Sequence, residues 1–223
     1  MDIRNTDQPV AASRAVTAQL IVYGTLLECA IGLVAVAAGW LLRLPLWEVV
    51  RWDFSALGAG ALATLPMLLL LPVVRYMPGR VFKELRALMT QMIVPLFRSA
   101  TVAEIAMISC VAGIGEEAFF RGIVQRGLAS LLGRTGELAV GDLATILAIL
   151  AAAILFGLAH PLSKIYVVLT TILGVYLGVL FAVSGNLLVP MVAHGLYDFV
   201  AVLYLARFWP GNRAVQEQQD QTE

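Results

Sequence analysis

Residues 165–208 read IYVVLTTILGVYLGVLFAVSGNLLVPMVAHGLYDFVAVLYLARF. The stretch holds one acid, Asp198, and one base, Arg207. It breaks once, at Ser184-Gly185-Asn186, a set of residues that favours turns. Each half is close to the ~20 apolar residues a helix needs to cross the hydrocarbon core of a bilayer. Two spans joined by a tight turn are therefore predicted, over 165–183 and 187–208. Pro190 falls in the first turn of the second, where proline is tolerated.

Working outward, four more apolar runs have spanning character: 18–42, 54–74, 102–132 and 143–160. The second contains Pro66 and Pro72. The third is long and carries charge at its centre. The composition agrees: 60% of residues are hydrophobic and 13% charged, with mean hydropathy +0.87. A soluble domain is about 25% charged. This composition excludes a disordered chain, a basic nucleic-acid binder and an ordinary cytosolic enzyme. The expected fold is all-α, a polytopic transmembrane bundle of about six spans.

One further helix is predicted that does not span. Over 80–100 the apolar Val81, Phe82, Leu85, Leu88, Met89 and Met92 recur at helical spacing, with Lys83, Glu84, Arg86 and Gln91 between them. This is a basic amphipathic helix, suited to the headgroup region or to packing on the bundle. The domain reading is a polar segment 1–17, one transmembrane domain 18–208, and a polar tail 209–223. Residues 1–13 are polar and carry acids, unlike a signal peptide. Cys29 and Cys110 lie in apolar runs and read as packed small hydrophobes. With six spans, Lys and Arg concentrate on the side that holds both termini, chiefly Arg75, Arg80, Lys83, Arg86 and Arg98. The positive-inside rule then makes both termini cytoplasmic, in the plasma membrane.

Ionisable residues inside spans are costly and mark functional sites. Here they cluster. The third run contains Glu116, Glu117 and Arg121; the fourth ends in Phe156-Gly157-Leu158-Ala159-His160; the sixth holds His194 and Asp198. These are the chain's two histidines. Glu117 and Arg121 share a helical face and can pair, either as a structural pair or as a brace for a site. Glu116 is rotated about 100° from Glu117 and can point elsewhere. His194 and Asp198 lie one turn apart. A small polar cavity lined by Glu116, His160, His194 and Asp198 is expected. Glu28 and Glu104 read as structural or interfacial, away from that cluster.

The pattern Glu116-Glu117-x-x-x-Arg121, Phe156-x-x-x-His160 and His194-x-x-x-Asp198, in this order on three apolar helices, resembles the CAAX protease and bacteriocin-processing (Abi) family of intramembrane proteases. That family includes the type II CAAX prenyl endopeptidases. The resemblant core is 102–208. It implies a membrane hydrolase that cleaves a membrane protein or peptide in the lipid bilayer, with no nucleic-acid partner. It implies that Glu116 activates water, His160 assists, and His194 with position 198 stabilises the oxyanion, with Glu117 and Arg121 bracing the site. Relatives commonly carry Asn or Asp at the last position, Asn in the eukaryotic prenyl proteases; this chain has Asp198. The metal question stays open at this point: Glu116, His160 and His194 are the candidate ligands for a zinc ion, as in a metalloprotease, but no His-Glu-x-x-His is present. A tightly held metal is not expected. The alternatives are a proton-coupled transporter or a non-proteolytic immunity or binding scaffold.

Overall fold

A computed structural model describes residues 7–133, 138 and 141–210, with side chains from residue 14. The expected polar tail lies outside the described residues beyond 210, as do Arg4, Arg134 and Arg213 among the loop bases. The described residues form helices and no strand. Helix α1 is Asp7–Leu41, α2 is Phe54–Leu68 and α3 is Leu70–Tyr76. Then come α4 (Arg80–Leu88), α5 (Val94–Phe97), α6 (Val102–Glu117) and α7 (Arg126–Leu131). The last three are α8 (Leu143–Leu158), α9 (Lys164–Ser184) and α10 (Leu188–Phe208). The all-helical membrane architecture is the one the sequence predicts.

The helix starts follow local chemistry. Asp53, Thr101, Asp142 and Ser163 are side-chain N-caps of α2, α6, α8 and α9. Thr101 and Glu104 form a reciprocal capping box. The exposed Asp53 carboxylate is held below its usual range by the Ser55 hydroxyl and the Ala56 N–H. At the other end of α9, Gly185 takes a left-handed φ of 56°. That conformation suits glycine and lets the chain reverse into α10.

By length and composition the described residues carry four to five candidate spans, against the six expected. Four helices among the described residues are long and apolar enough to cross a bilayer: 14–41, 54–76, 164–184 and 188–208. The pair Arg80–Phe97 and Val102–Leu131, bent by 114°, makes a fifth if taken as one broken span. Helix α8 has 16 residues, short of the ~20 a straight span needs. Helix α1 also begins well before residue 18, so the polar segment continues the same helix. The amphipathic segment over 80–97 does turn away from the bundle direction, as its sequence implies. Its middle, Met89–Ile93, is a π-helical turn.

Helix α6 sits between α1 and α10. Glycine allows both contacts. A Cβ on Gly113 would lie 2.7 Å from the Gly195 nitrogen and 2.8 Å from the Met191 oxygen; one on Gly115 would lie 2.6 Å from the Glu28 oxygen. These neighbours are backbone and cannot rotate aside. Gly113→Ala is therefore expected to push α6 off α10 and lower stability by about 1–3 kcal/mol, the usual range for overpacking. Thermal unfolding in detergent micelles checks this, with Gly58→Ala as control, since nothing lies within 4 Å of a Cβ there.

Candidate active site

Helix α6 carries Glu116 and Glu117 into the bundle at its C-terminal turn, and residues Ala118–Gln125 then continue as a π-helical stretch. Such widened turns recur at functional sites because they re-aim consecutive side chains. Both carboxylates and Arg121 are buried, Glu117 and Arg121 completely. Helix α8 ends at Leu158 and delivers His160 just past its C-terminus. Helix α10 delivers His194 and Asp198 one turn apart.

The structure brings all six predicted residues together. Arg121 Nε lies 3.1 Å from Glu117 Oε2, an ion pair whose geometry is not aligned for a hydrogen bond. The guanidinium also lies over the Phe156 ring at 4.8 Å, a cation–π contact that helps a desolvated cation. The other Glu117 oxygen, Oε1, is 3.1 Å from His194 Nδ1. His194 Nε2 is 3.3 Å from Asp198 Oδ2 and 3.9 Å from Glu116 Oε2. His160 Nε2 is 3.6 Å from Glu116 Oε1.

The hydrogen-bond pattern assigns the imidazole protons. His160 Nδ1 is 2.8 Å from the Phe156 carbonyl oxygen, which only accepts, so Nδ1 carries a proton. Its Nε2 is left facing Glu116. His194 has a carboxylate at each nitrogen. An imidazolium satisfies both at once; a neutral ring leaves a lone pair against a carboxylate unless Asp198 carries the proton. The Glu116 contacts of 3.6 and 3.9 Å exceed hydrogen-bond length. Glu116 is thus near both histidines and locked to neither, and its Oε2 is buried without a hydrogen-bond partner.

His160, His194 and Asp198 open onto a cavity of about 220 Å³. Its walls are mostly apolar, including Met67 and Leu71 from α2 and α3, Phe97 from α5, and Leu169 and Leu173 from α9. Glu116 is not among its lining residues. The expected cavity lining holds for three of its four members, with Glu116 behind them.

Two placements differ from the sequence reading. Glu117 does more than pair with Arg121: it also holds His194 by Nδ1. That contact depends on α6–α10 packing, which no local spacing encodes. Glu28 is not remote from the cluster. Its backbone packs against Gly115, the residue before Glu116. A signal was present in the sequence: Glu28 falls on one helical stripe with Ile21, Thr25, Gly32 and Ala35. Glu104, in contrast, is structural as read. It caps α6 and pairs with Arg14 at 2.9 Å.

Among the described residues, no group of three or more His, Cys, Asp and Glu side chains is arranged to hold a metal ion. Glu116, His160 and His194 do converge, but their mutual contacts are those of partners to one another.

The described residues thus form an all-helical membrane bundle with carboxylates and histidines gathered beside a mostly apolar cavity. Residues 98–200, a little under half of the chain, match the family described as type II CAAX prenyl endopeptidase Rce1-like. The match bears out the resemblance drawn from the three motifs and supports an intramembrane CAAX-type endopeptidase in general. No curated protein and no solved structure matched the chain.

Proposed function

We propose that the chain is an endopeptidase that hydrolyses a peptide bond of a membrane-associated protein or peptide, with Glu116 activating the water. The observation that carries this reading is the convergence of Glu116 on two imidazole Nε2 atoms at 3.6 and 3.9 Å, behind an apolar cavity. A carboxylate with an open oxygen can take a proton from water. The hydroxide oxygen bonds to the scissile carbonyl carbon, and the carbonyl oxygen becomes an oxyanion. His194, held between Glu117 and Asp198, presents positive charge to that oxyanion. The C–N bond breaks as the proton passes from Glu116, through His160 Nε2, to the leaving amine. His160 suits that task because Phe156 fixes its Nδ1 and leaves Nε2 for proton transfer. Arg121 neutralises Glu117 and so holds the whole constellation. No step is routed through a metal.

The topology follows the same reading. Basic residues of four segments meet at one end of the bundle. Arg14 donates to the Ser99 carbonyl, Arg207 to the carbonyls of Arg98 and Ala100, and Arg75 to the Tyr204 hydroxyl. This end is the cytoplasmic one by the positive-inside rule, in a plasma membrane. Residues 18–208 act as one domain, with the chemistry in 102–208 and polar segments at 1–17 and 209–223.

Position 198 separates hydrolysis from proton transport. Asn keeps the shape of Asp and donates to His194 Nε2 without needing a proton. In a protease, Asp198→Asn is expected to retain substantial cleavage, and Asp198→Ala to lose most of it. In a proton carrier both variants are equally dead, because neither side chain can carry a proton. Cleavage of a membrane substrate by the two variants in proteoliposomes makes the distinction.

A further inference from the structure

Helix α10 is the wall between two hollows. His194, Tyr197 and Asp198 face the catalytic cavity. The other side of α10 faces a second, larger hollow of about 590 Å³, an open groove between α2, α6 and α10. Trp52 and Leu57 flank one end of it, Leu188 and Phe199 mark its run along α10, and Cys110 and Ile114 belong to its α6 wall. No charged side chain lines the groove, and it shares no lining residue with the catalytic cavity. What fills it is therefore held away from the reacting atoms.

Length and charge at the mouth identify the occupant. Leu188 and Phe199 are eleven residues apart on α10. At the helical rise that separation is about 16 Å, close to half of the ~30 Å hydrocarbon core of a bilayer. The groove thus has the length of an acyl chain in one leaflet. Its outer end lies in the segment that joins α1 to α2, where Trp40, Trp47 and Trp52 are all largely exposed. Tryptophan marks the headgroup level of membrane proteins. A cation is fixed at the same end. The Asn186 side chain accepts from the Arg51 backbone N–H at 3.0 Å and donates to the Arg51 carbonyl at 2.8 Å, clasping this segment to the start of α10. The exposed Arg51 guanidinium makes one hydrogen bond, to the Ser184 carbonyl at 3.3 Å. The neighbouring Asp53 carboxylate is engaged by the Ser55 hydroxyl and the Ala56 N–H.

We propose that the groove between α2, α6 and α10 binds one phospholipid, with an acyl chain lying along it and the phosphate on Arg51. At membrane depth there is no hydrophobic drive for a chain to leave the bilayer, so the hold comes from packing in the groove and from the headgroup contact. A guanidinium suits that contact, because its fork of N–H donors matches phosphate oxygens. A helix is a poor occupant. One of this length, about 10 Å wide, fills roughly 1,200 Å³, twice the space the groove offers. The bound chain backs the helix that carries the catalytic histidine: Met191 and Gly195, on either side of His194 in the chain, both line the groove.

The full chain is reconstituted in vesicles of phosphatidylethanolamine and phosphatidylglycerol, with a small share of the phosphatidylglycerol carrying a diazirine near the end of one acyl chain. Adducts formed on illumination are mapped by peptide mass spectrometry. Ala106, Cys110 and Phe199 line the inner part of the groove; Leu26 and Cys29, exposed on α1, are the controls. Labelling at the three groove residues is expected to exceed that at the controls about tenfold, the ratio that one charge-assisted hydrogen bond supports. Arg51→Gln leaves the backbone clasp with Asn186 intact and is expected to bring the groove down to the level of the controls. Cys110→Trp fills the groove from its exposed wall and is expected to remove the adducts at Ala106 and Phe199. Should that variant fail to accumulate, Arg51→Gln decides alone. Even labelling of groove and controls in the parent shows a fluid lipid layer only and overturns the site. Groove labelling that Arg51→Gln leaves unchanged overturns the phosphate contact and with it the proposal. Disulfide-linked dimers through Cys110 on mild oxidation, in place of lipid adducts, put a second copy in the groove and overturn it as well. None of these readouts uses cleavage, so the result stands apart from the protease reading.

Discussion

Glu116→Gln is expected to lower cleavage about 10²–10⁴-fold, the span that general-base catalysis contributes, while the protein accumulates in the membrane at the parental level. Glutamine matches glutamate in shape, so the packing of α6 between α1 and α10 is kept. What is lost is the basic oxygen. Neither neighbour can take over that task from its position. His160 Nε2 sits 3.6 Å away, with its ring fixed by the Phe156 carbonyl, and His194 is occupied by two carboxylates. Stability should hold as well, because Glu116 makes no hydrogen bond through Oε2 that the amide would forfeit. The measurement is a comparison of membrane proteomes from cells expressing the parent or Glu116→Gln. A cleavage product present only with the parent identifies the substrate and the base together. Cleavage by the variant at the parental rate removes Glu116 from the mechanism.

The fold was legible where chemistry is local, and less so where helices meet. Apolar runs over 165–183 and 187–208 become α9 and α10 nearly residue for residue, because length and the Gly185 turn determine them. The i,i+4 pairs Glu117–Arg121 and His194–Asp198 also appear as read, since a helix dictates that spacing. The span count was not legible in the same way. Residues 102–132 are interrupted by charges that only a packed bundle can accommodate, and α8 is short. The π-helical stretch after Glu117 carries no sequence signal at all. Neither did the contact of Glu117 with His194, which joins residues 77 positions apart. Glu28 shows the limit most clearly. A lone acid in an apolar run reads as interfacial until the helix beside it is known.

That hidden contact gives the second large effect. Glu117 holds Arg121 with one oxygen and His194 with the other, at 3.1 Å each, and Glu117 and Arg121 have no exposed surface. Removing the charge by Glu117→Gln leaves Arg121 buried as an unpaired cation. Breaking a buried pair from one side costs about 3–5 kcal/mol, far more than the pair itself contributes. The variant is expected to unfold at a markedly lower temperature and to accumulate poorly. The double variant Glu117→Gln/Arg121→Met removes the stranded cation and places a flexible apolar chain beneath Phe156. It is expected to recover most of the lost stability, a strong departure from additivity for residues in contact. Its cleavage should stay low, because the amide no longer holds the charge of His194 at Nδ1. Thermal unfolding of the parent, both single variants and the double, with cleavage measured on the same preparations, separates the two roles. Recovery of stability and activity together would make Glu117 purely a counter-ion for Arg121. Recovery of stability alone assigns it to His194 as well, and the buried pair is then the frame that keeps a histidine correctly turned inside a membrane.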